Sequence, residues 1–269
     1  KYEGCYLGNL RNKVKDADII IINHSLFANE LQRDNTCLPD NYSYVIDEAH
    51  HFANVIRSQL VQEFSVHTLK DVFQYFNQDK KNWKIPILKK HPRIHEIYKQ
   101  LAHEIGIINQ ELKDFFDSYY ASRSTDERKS EYYVDKHLYR NSQEEFIDTY
   151  PSPWDVLISL KSFQKNVHKF SELIMANRKQ LPKSILIEFD IIESCLQDGI
   201  DNFQAVLDTE NDNVQWSSFI KREVHPMTIL NSAPLKVNQF IHDHLLDRYP
   251  SGLFCSATLT VNEEFIYFS

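Results

Sequence analysis

Residues 42–51 read YSYVIDEAHH, from Tyr42 to His51, an apolar run that turns abruptly to charge. Tyr44, Val45 and Ile46 are aromatic and β-branched, side chains that suit a pleated, buried surface, and they run directly into two carboxylates, Asp47 and Glu48. A short apolar run that ends in charge reads as a buried strand reaching the edge of its sheet. In open α/β sheets ligands gather outside the carboxyl ends of the strands. The two acids would therefore stand where a phosphate-bound metal and an attacking water can reach them. The pattern points to hydrolysis of a magnesium-bound nucleotide. Taken alone, Asp47-Glu48-Ala49-His50 also fits the acidic first turn of a helix, which the macrodipole favours.

A second stretch narrows the choice. Ser251 to Thr260 reads SGLFCSATLT, another apolar strand that runs into Ser256-Ala257-Thr258. Two strand-end motifs in this order resemble motifs II and III of superfamily-two helicases. The form Asp47-Glu48-Ala49-His50-His51-Phe52, with Ala17-Asp18 before an apolar run and Asn23-His24 after it, resembles the DinG branch of the XPD-like iron–sulfur helicases. Trp216 and Ala233-Pro234-Leu235 are similar to that branch as well.

The resemblance implies an ATP-dependent DNA helicase that moves 5′ to 3′ on single-stranded and forked DNA. It implies that Asp47 holds Mg²⁺ through water and that Glu48 orients and deprotonates the attacking water. His50, with Ser256 and Thr258 of the Ser256-Ala257-Thr258 motif, would couple nucleotide state to the DNA-binding surface. Cys5, preceded by Tyr2, stands where the family places the last of four ligands of a 4Fe–4S cluster. The other three ligands are expected upstream.

Composition sets limits on this reading. A chain of 269 residues can hold two cores, since one core seldom grows past about 250 residues. A hydrophobic content of 42% with 25% charged residues is ordinary for a globular protein, and no apolar run is long enough to span a bilayer. Lys1 to Leu10 lacks the apolar centre of a secretory signal, so a cytoplasmic protein without membrane partners is expected. The net charge of −8 argues against a general basic surface and confines any DNA site to a local groove. Cys5, Cys37, Cys195 and Cys255 show no zinc spacing, and His95-Glu96 and His103-Glu104 each lack the second histidine of a zinc motif. No metal-ligand cluster is read from the sequence.

None of the 5 glycines opens a GxxxxGK[ST] loop, yet a nucleotide motor needs backbone N–H groups and a lysine around the β- and γ-phosphates. Lys1 is no initiator methionine, and the chain is read as an internal piece of a longer helicase, inactive by itself. The alternative is a non-enzymatic helical module that binds single-stranded nucleic acid or a protein partner.

The remaining elements follow from periodicity. Ile19 to Ile22, four β-branched residues in a row, predict a strand buried on both faces, with Asn23-His24 at its end and a helix over Leu26 to Leu31. Leu69, Val72, Phe73 and Phe76 fit one helical face. Ile94, Ile97, Leu101, Ile105, Ile108, Leu112, Phe115 and Tyr119 fit a much longer one. Ser152-Pro153 opens a helix that Pro182 ends. Ile185 to Val206 describes another, interrupted near Gly199. Tyr132 to Tyr139 fits strand or helix, Asp212 to Pro234 is strand-like, and Lys236 to Asp247 is helical. The expected fold is mixed α/β: a partial RecA-like parallel-sheet motor domain at 1–52 and 212–269, with a large α-helical, arch-like insertion at 53–211.

Overall fold

The computed structural model describes residues 13–14, 16–32, 38, 43–77, 82–123, 134–209, 212–220 and 227–257. In chain order they form α1 (His24–Gln32), β1 (Tyr44–Ile46), a 3₁₀ turn (Ala49–His51), α2 (Phe52–Gln59), β2 (Gln62–Phe64), α3 (Lys70–Phe76), α4 (Lys84–Leu88) and α5 (Pro92–Arg123). There follow β3 (Val134–Tyr139), α6 (Ser142–Glu145), α7 (Pro153–Ala176), α8 (Lys183–Leu207), β4 (Asn213–Ile220), β5 (Met227–Pro234), α9 (Asn238–Ile241), a π turn (His242–Leu246) and β6 (Gly252–Phe254). The fold is mixed α/β, and it divides into two compact units, residues 1–61 with 233–269 and residues 62–232.

The first unit is built on a two-stranded parallel sheet in which Tyr44 faces Gly252, Val45 faces Leu253 and Ile46 faces Phe254. Strand alternation sends Ile46 to a core of Phe27, Leu31, Phe52, Ile56 and Leu245, while its neighbours Val45 and Leu253 stay 69% and 56% exposed. Asn23 caps α1, its side-chain oxygen accepting the Leu26 N–H at 2.8 Å. The Ile19–Ile22 run departs from expectation. It forms no strand, Ile19 and Ile21 are 81% and 92% exposed, and Ile20 and Ile22 are half-buried. No described strand offers it a ladder partner, so one edge packs, through Ile22, against the core and the other faces solvent.

Gly252 has a packing role here. A Cβ at this position would lie 2.0 Å from Cζ of Tyr44, whose ring is hemmed by Phe27, Tyr249 and Phe254 at centroid distances of 6.2, 5.8 and 5.8 Å. Gly252→Ala is expected to cost about 1–3 kcal/mol through overpacking and to loosen the β1–β6 pair. A urea midpoint unchanged from wild type would show that the tyrosine moves aside freely.

The second unit is helical with a four-stranded sheet in the order β2-β5-β4-β3, β2 antiparallel to β5 and β3 antiparallel to β4. The apolar stripes of α5, α7 and α8 are buried as their spacing predicts, including Leu101, Ile108 and Phe115 on α5, Leu160, Phe163 and Phe170 on α7, and Phe189, Leu196 and Phe203 on α8. The ring of Phe203 stacks on Phe64 of β2 at 4.1 Å. Where α5 ends, the buried Glu145 carboxylate receives the Tyr119 hydroxyl at 2.5 Å, Arg123 at 3.0 Å and His137 at 3.2 Å. Burial and the Glu145 charge push the Tyr119 phenol well above its usual pKa.

Three other expectations are corrected. Helix α8 runs through Gly199 without a break, because a Cβ there would sit 2.4 Å from Cδ2 of Leu69; the glycine admits a close neighbour and does not end the helix. Strands β4 and β5 pair into the sheet of the helical unit, so the chain returns to the first unit at 233 and not at 212, and α2 stays with the first unit up to 61. The helix expected over Lys236 to Asp247 is one short α-helical stretch followed by a π turn. The segments 33–37, 124–133 and 221–226 lie outside the described residues, and with them the expected loop at Ser122 to Ser130 beyond Arg123.

Candidate functional site

The parallel pairing of β1 and β6 delivers both strand-end motifs to one edge of the sheet. Backbone bonds carry the pairing past the strands: Cys255 donates its N–H to the Ile46 carbonyl at 2.8 Å, and its own carbonyl accepts the Ala49 N–H at 2.9 Å. Cys255 is thereby clamped between the last residue of β1 and the first of the 3₁₀ turn. Between those points the chain reverses at Glu48, whose φ of 48° and ψ of 45° are left-handed, a conformation that costs a residue with a Cβ about 1–2 kcal/mol. Such strain persists where surrounding structure over-determines it, and it gathers at functional sites. Buried Ala49, Phe52 and Ile56 fix the turn from beneath.

Above this base three side chains converge. His50 Nδ1 lies 2.6 Å from Ser256 Oγ, Ser256 Oγ donates to Glu48 Oε2 at 3.3 Å, and the same Glu48 oxygen lies 3.3 Å from His50 Nδ1. With the hydroxyl proton on the Glu48 side, His50 donates from Nδ1, which leaves Nε2 as an acceptor. A serine-hydrolase triad needs its serine and its acid on opposite ring nitrogens. Here both meet Nδ1, so a Ser-His-Glu nucleophile is not assembled. Glu48 also remains 56% exposed, which keeps it accessible to water and to a ligand.

Asp47 is exposed, and its Oδ1 accepts the N–H of Glu48 at 3.0 Å. Two adjacent exposed carboxylates suit a hard cation such as Mg²⁺, which takes oxygen donors and keeps much of its water. By themselves they repel nucleotide phosphates. Ala257 is an exposed turn residue, while Thr258 and Cys5 lie outside the described residues. The described cysteines, Cys195 and Cys255, are half-buried and belong to different units. Among the described residues no group of cysteines forms a cluster site.

The His51 ring lies 3.8 Å from that of His50 in a tilted arrangement, and His24 meets Phe52 edge-on at 5.5 Å; both are packing contacts. The sequence reading missed the backbone clamp at Cys255, for which there is no side-chain signal. It also found no metal-ligand group, yet His242 lies 3.5 Å from Asp243 and 3.2 Å from Asp247. Only a π turn brings positions five apart to one side, and no helical or strand periodicity would mark them. All three are exposed.

No protein-family model matches the chain, and no curated protein matches it.

Proposed function

We propose that residues 1–61 with 233–269 form part of the first, RecA-like motor domain of a DinG-type DNA helicase, and that residues 62–232 are its arch-like insertion, both acting within a longer polypeptide that supplies the phosphate-binding loop. The observation that carries this reading is the 2.6 Å contact of His50 with Ser256, side chains that are 206 positions apart and stand at the ends of adjacent parallel strands. A chance Asp-Glu-Ala-His would not need Ser256 beside it. The exposed, register-paired Val45 and Leu253 fit the same reading, since parallel sheets are covered on both faces when complete.

In this reading Asp47 would hold magnesium through a water ligand, and the ion, when bound, would supply neutralisation of phosphate charge. Glu48, fixed by its left-handed turn, orients the attacking water and accepts its proton. His50 and Ser256 sense whether Glu48 is engaged, because all three share one hydrogen-bonded cluster. Motion of Glu48 on product formation is thereby passed to β6 and onward to the surface that grips single-stranded DNA.

Ser256→Ala in the longer polypeptide tests the coupling. It removes one hydroxyl and leaves both carboxylates in place. ATP hydrolysis without DNA is expected to stay near wild type, while stimulation by single-stranded DNA falls on the order of 10-fold. A variant stimulated as strongly as wild type would break the proposed link between the two motifs.

A further inference from the structure

The π turn His242–Leu246 gathers polar side chains that the nucleotide chemistry of Asp47 and Glu48 does not use. In a regular α-helix the backbone bond spans four residues. Here the Asp247 N–H reaches back five, to the His242 carbonyl at 3.0 Å, and the wider turn carries the Asp247 side chain to that of His242. Asp243 comes to the same place from the adjoining position. π turns are uncommon and recur at functional sites.

Both carboxylates converge on one imidazole nitrogen. Asp247 Oδ2 lies 3.2 Å and Asp243 Oδ1 3.5 Å from His242 Nδ1, and one ligand atom from each residue lies within 4.8 Å of the other two. Hydrogen bonding alone does not account for this, because Nδ1 carries at most one hydrogen and can direct it at only one of the two oxygens. A cation set between the three atoms satisfies them together. Zinc, with bonds of about 2.0–2.2 Å, holds tetrahedral ligand atoms about 3.3–3.6 Å apart, close to the two separations from Nδ1. Gln239 Nε2 donates to Asp243 Oδ1 at 2.7 Å, which orients that carboxylate and leaves its oxygen a second lone pair for an ion.

We propose that His242, Asp243 and Asp247 bind a zinc ion at this turn, with water completing its coordination. The donor set selects the ion. Magnesium and calcium take oxygen ligands, whereas an imidazole nitrogen beside two carboxylates suits a first-row divalent metal such as zinc. The exposure of all three side chains opens the site to ions from solvent. Leu245 of the same turn and Tyr249 just beyond it are buried in the core that holds Phe27 and Ile46, so bound zinc would brace the segment that leads into β6. This site stands apart from Asp47 and Glu48, and the proposal does not rest on the helicase reading.

The test uses the whole chain with ¹⁵N-labelled histidine, the His242 ring signals assigned by His242→Gln, and zinc chloride or magnesium chloride as the probe. Zinc is expected to shift the His242 Nδ1 signal in a saturable manner before the other histidines respond, with magnesium weaker by on the order of 100-fold. Asp247→Asn and Asp243→Asn are each expected to weaken zinc at His242 by on the order of 10-fold or more, while Glu48→Gln leaves it unchanged. All three changes fall on exposed side chains, and unshifted histidine signals elsewhere check the fold. No shift of His242 with zinc, coordination through Nε2 alone, or zinc binding indifferent to both aspartate variants would overturn the proposal, the last two marking an adventitious contact with a surface histidine. Binding lost in Glu48→Gln would overturn it as well, by placing the ion at the strand-end carboxylates.

Discussion

Glu48→Gln is expected to lower ATP turnover of the polypeptide that carries this chain by about 10² to 10⁴ while leaving nucleotide and DNA binding intact. The amide is nearly isosteric with the carboxylate, and its oxygen still accepts the Ser256 hydroxyl, which lies 3.3 Å from Glu48 Oε2. The left-handed backbone at Glu48 treats glutamate and glutamine alike, so the turn survives. What disappears is the group that accepts a proton from water. If Glu48 served only as an acid at a helix start, the same change would cost at most about 1 kcal/mol of stability and leave turnover untouched. Single-turnover hydrolysis with radiolabelled ATP separates the two cases, and a wild-type rate would refute the catalytic role.

The second large effect concerns stability. Phe203 is fully buried, lies 4.1 Å from the Phe64 ring and 6.1 Å from that of Phe115, and so joins α8 to β2 and α5. Phe203→Ala is expected to destabilise the helical unit by about 3–5 kcal/mol, the transfer and cavity cost of deleting a buried phenyl ring. Its core shares no residue with that of Phe27, Ile46, Phe52 and Leu245, so amides beside Asp47 and Glu48 should keep their protection. Urea denaturation followed by hydrogen exchange reads both quantities. A loss below about 1 kcal/mol would mean that the ring is not confined as described.

Much of this architecture was legible because burial imposes a period on the sequence. The stripe from Ile94 to Tyr119 repeats at three and four, and only a helix with one buried face keeps that spacing in register. Tyr44 to Ile46 and Gly252 to Phe254 were legible for a different reason: each ends in polar residues that need an exposed strand end. Ile19 to Ile22 misled because a β-branched run reports a preference for packing, and a strand also needs a ladder partner. Gly199 misled because the glycine answers to Leu69, 130 positions away in sequence, and no local pattern carries that distance. The membership of β4 and β5 was hidden for the same cause, since sheet order is decided by partners and not by composition. At the site, the identities of Asp47, Glu48, His50 and Ser256 could be read from sequence, whereas the left-handed turn and the Cys255 backbone clamp that bring them together could not.

The most direct measurement of the central claim is strand separation by the polypeptide that contains this chain, with a duplex bearing either a 5′ or a 3′ single-stranded tail, with and without ATP and Mg²⁺. Nucleotide-dependent separation of the 5′-tailed duplex, and none of the 3′-tailed one, is the expected result. Strand separation that proceeds without nucleotide, or no separation together with no DNA-stimulated ATP hydrolysis, would contradict it.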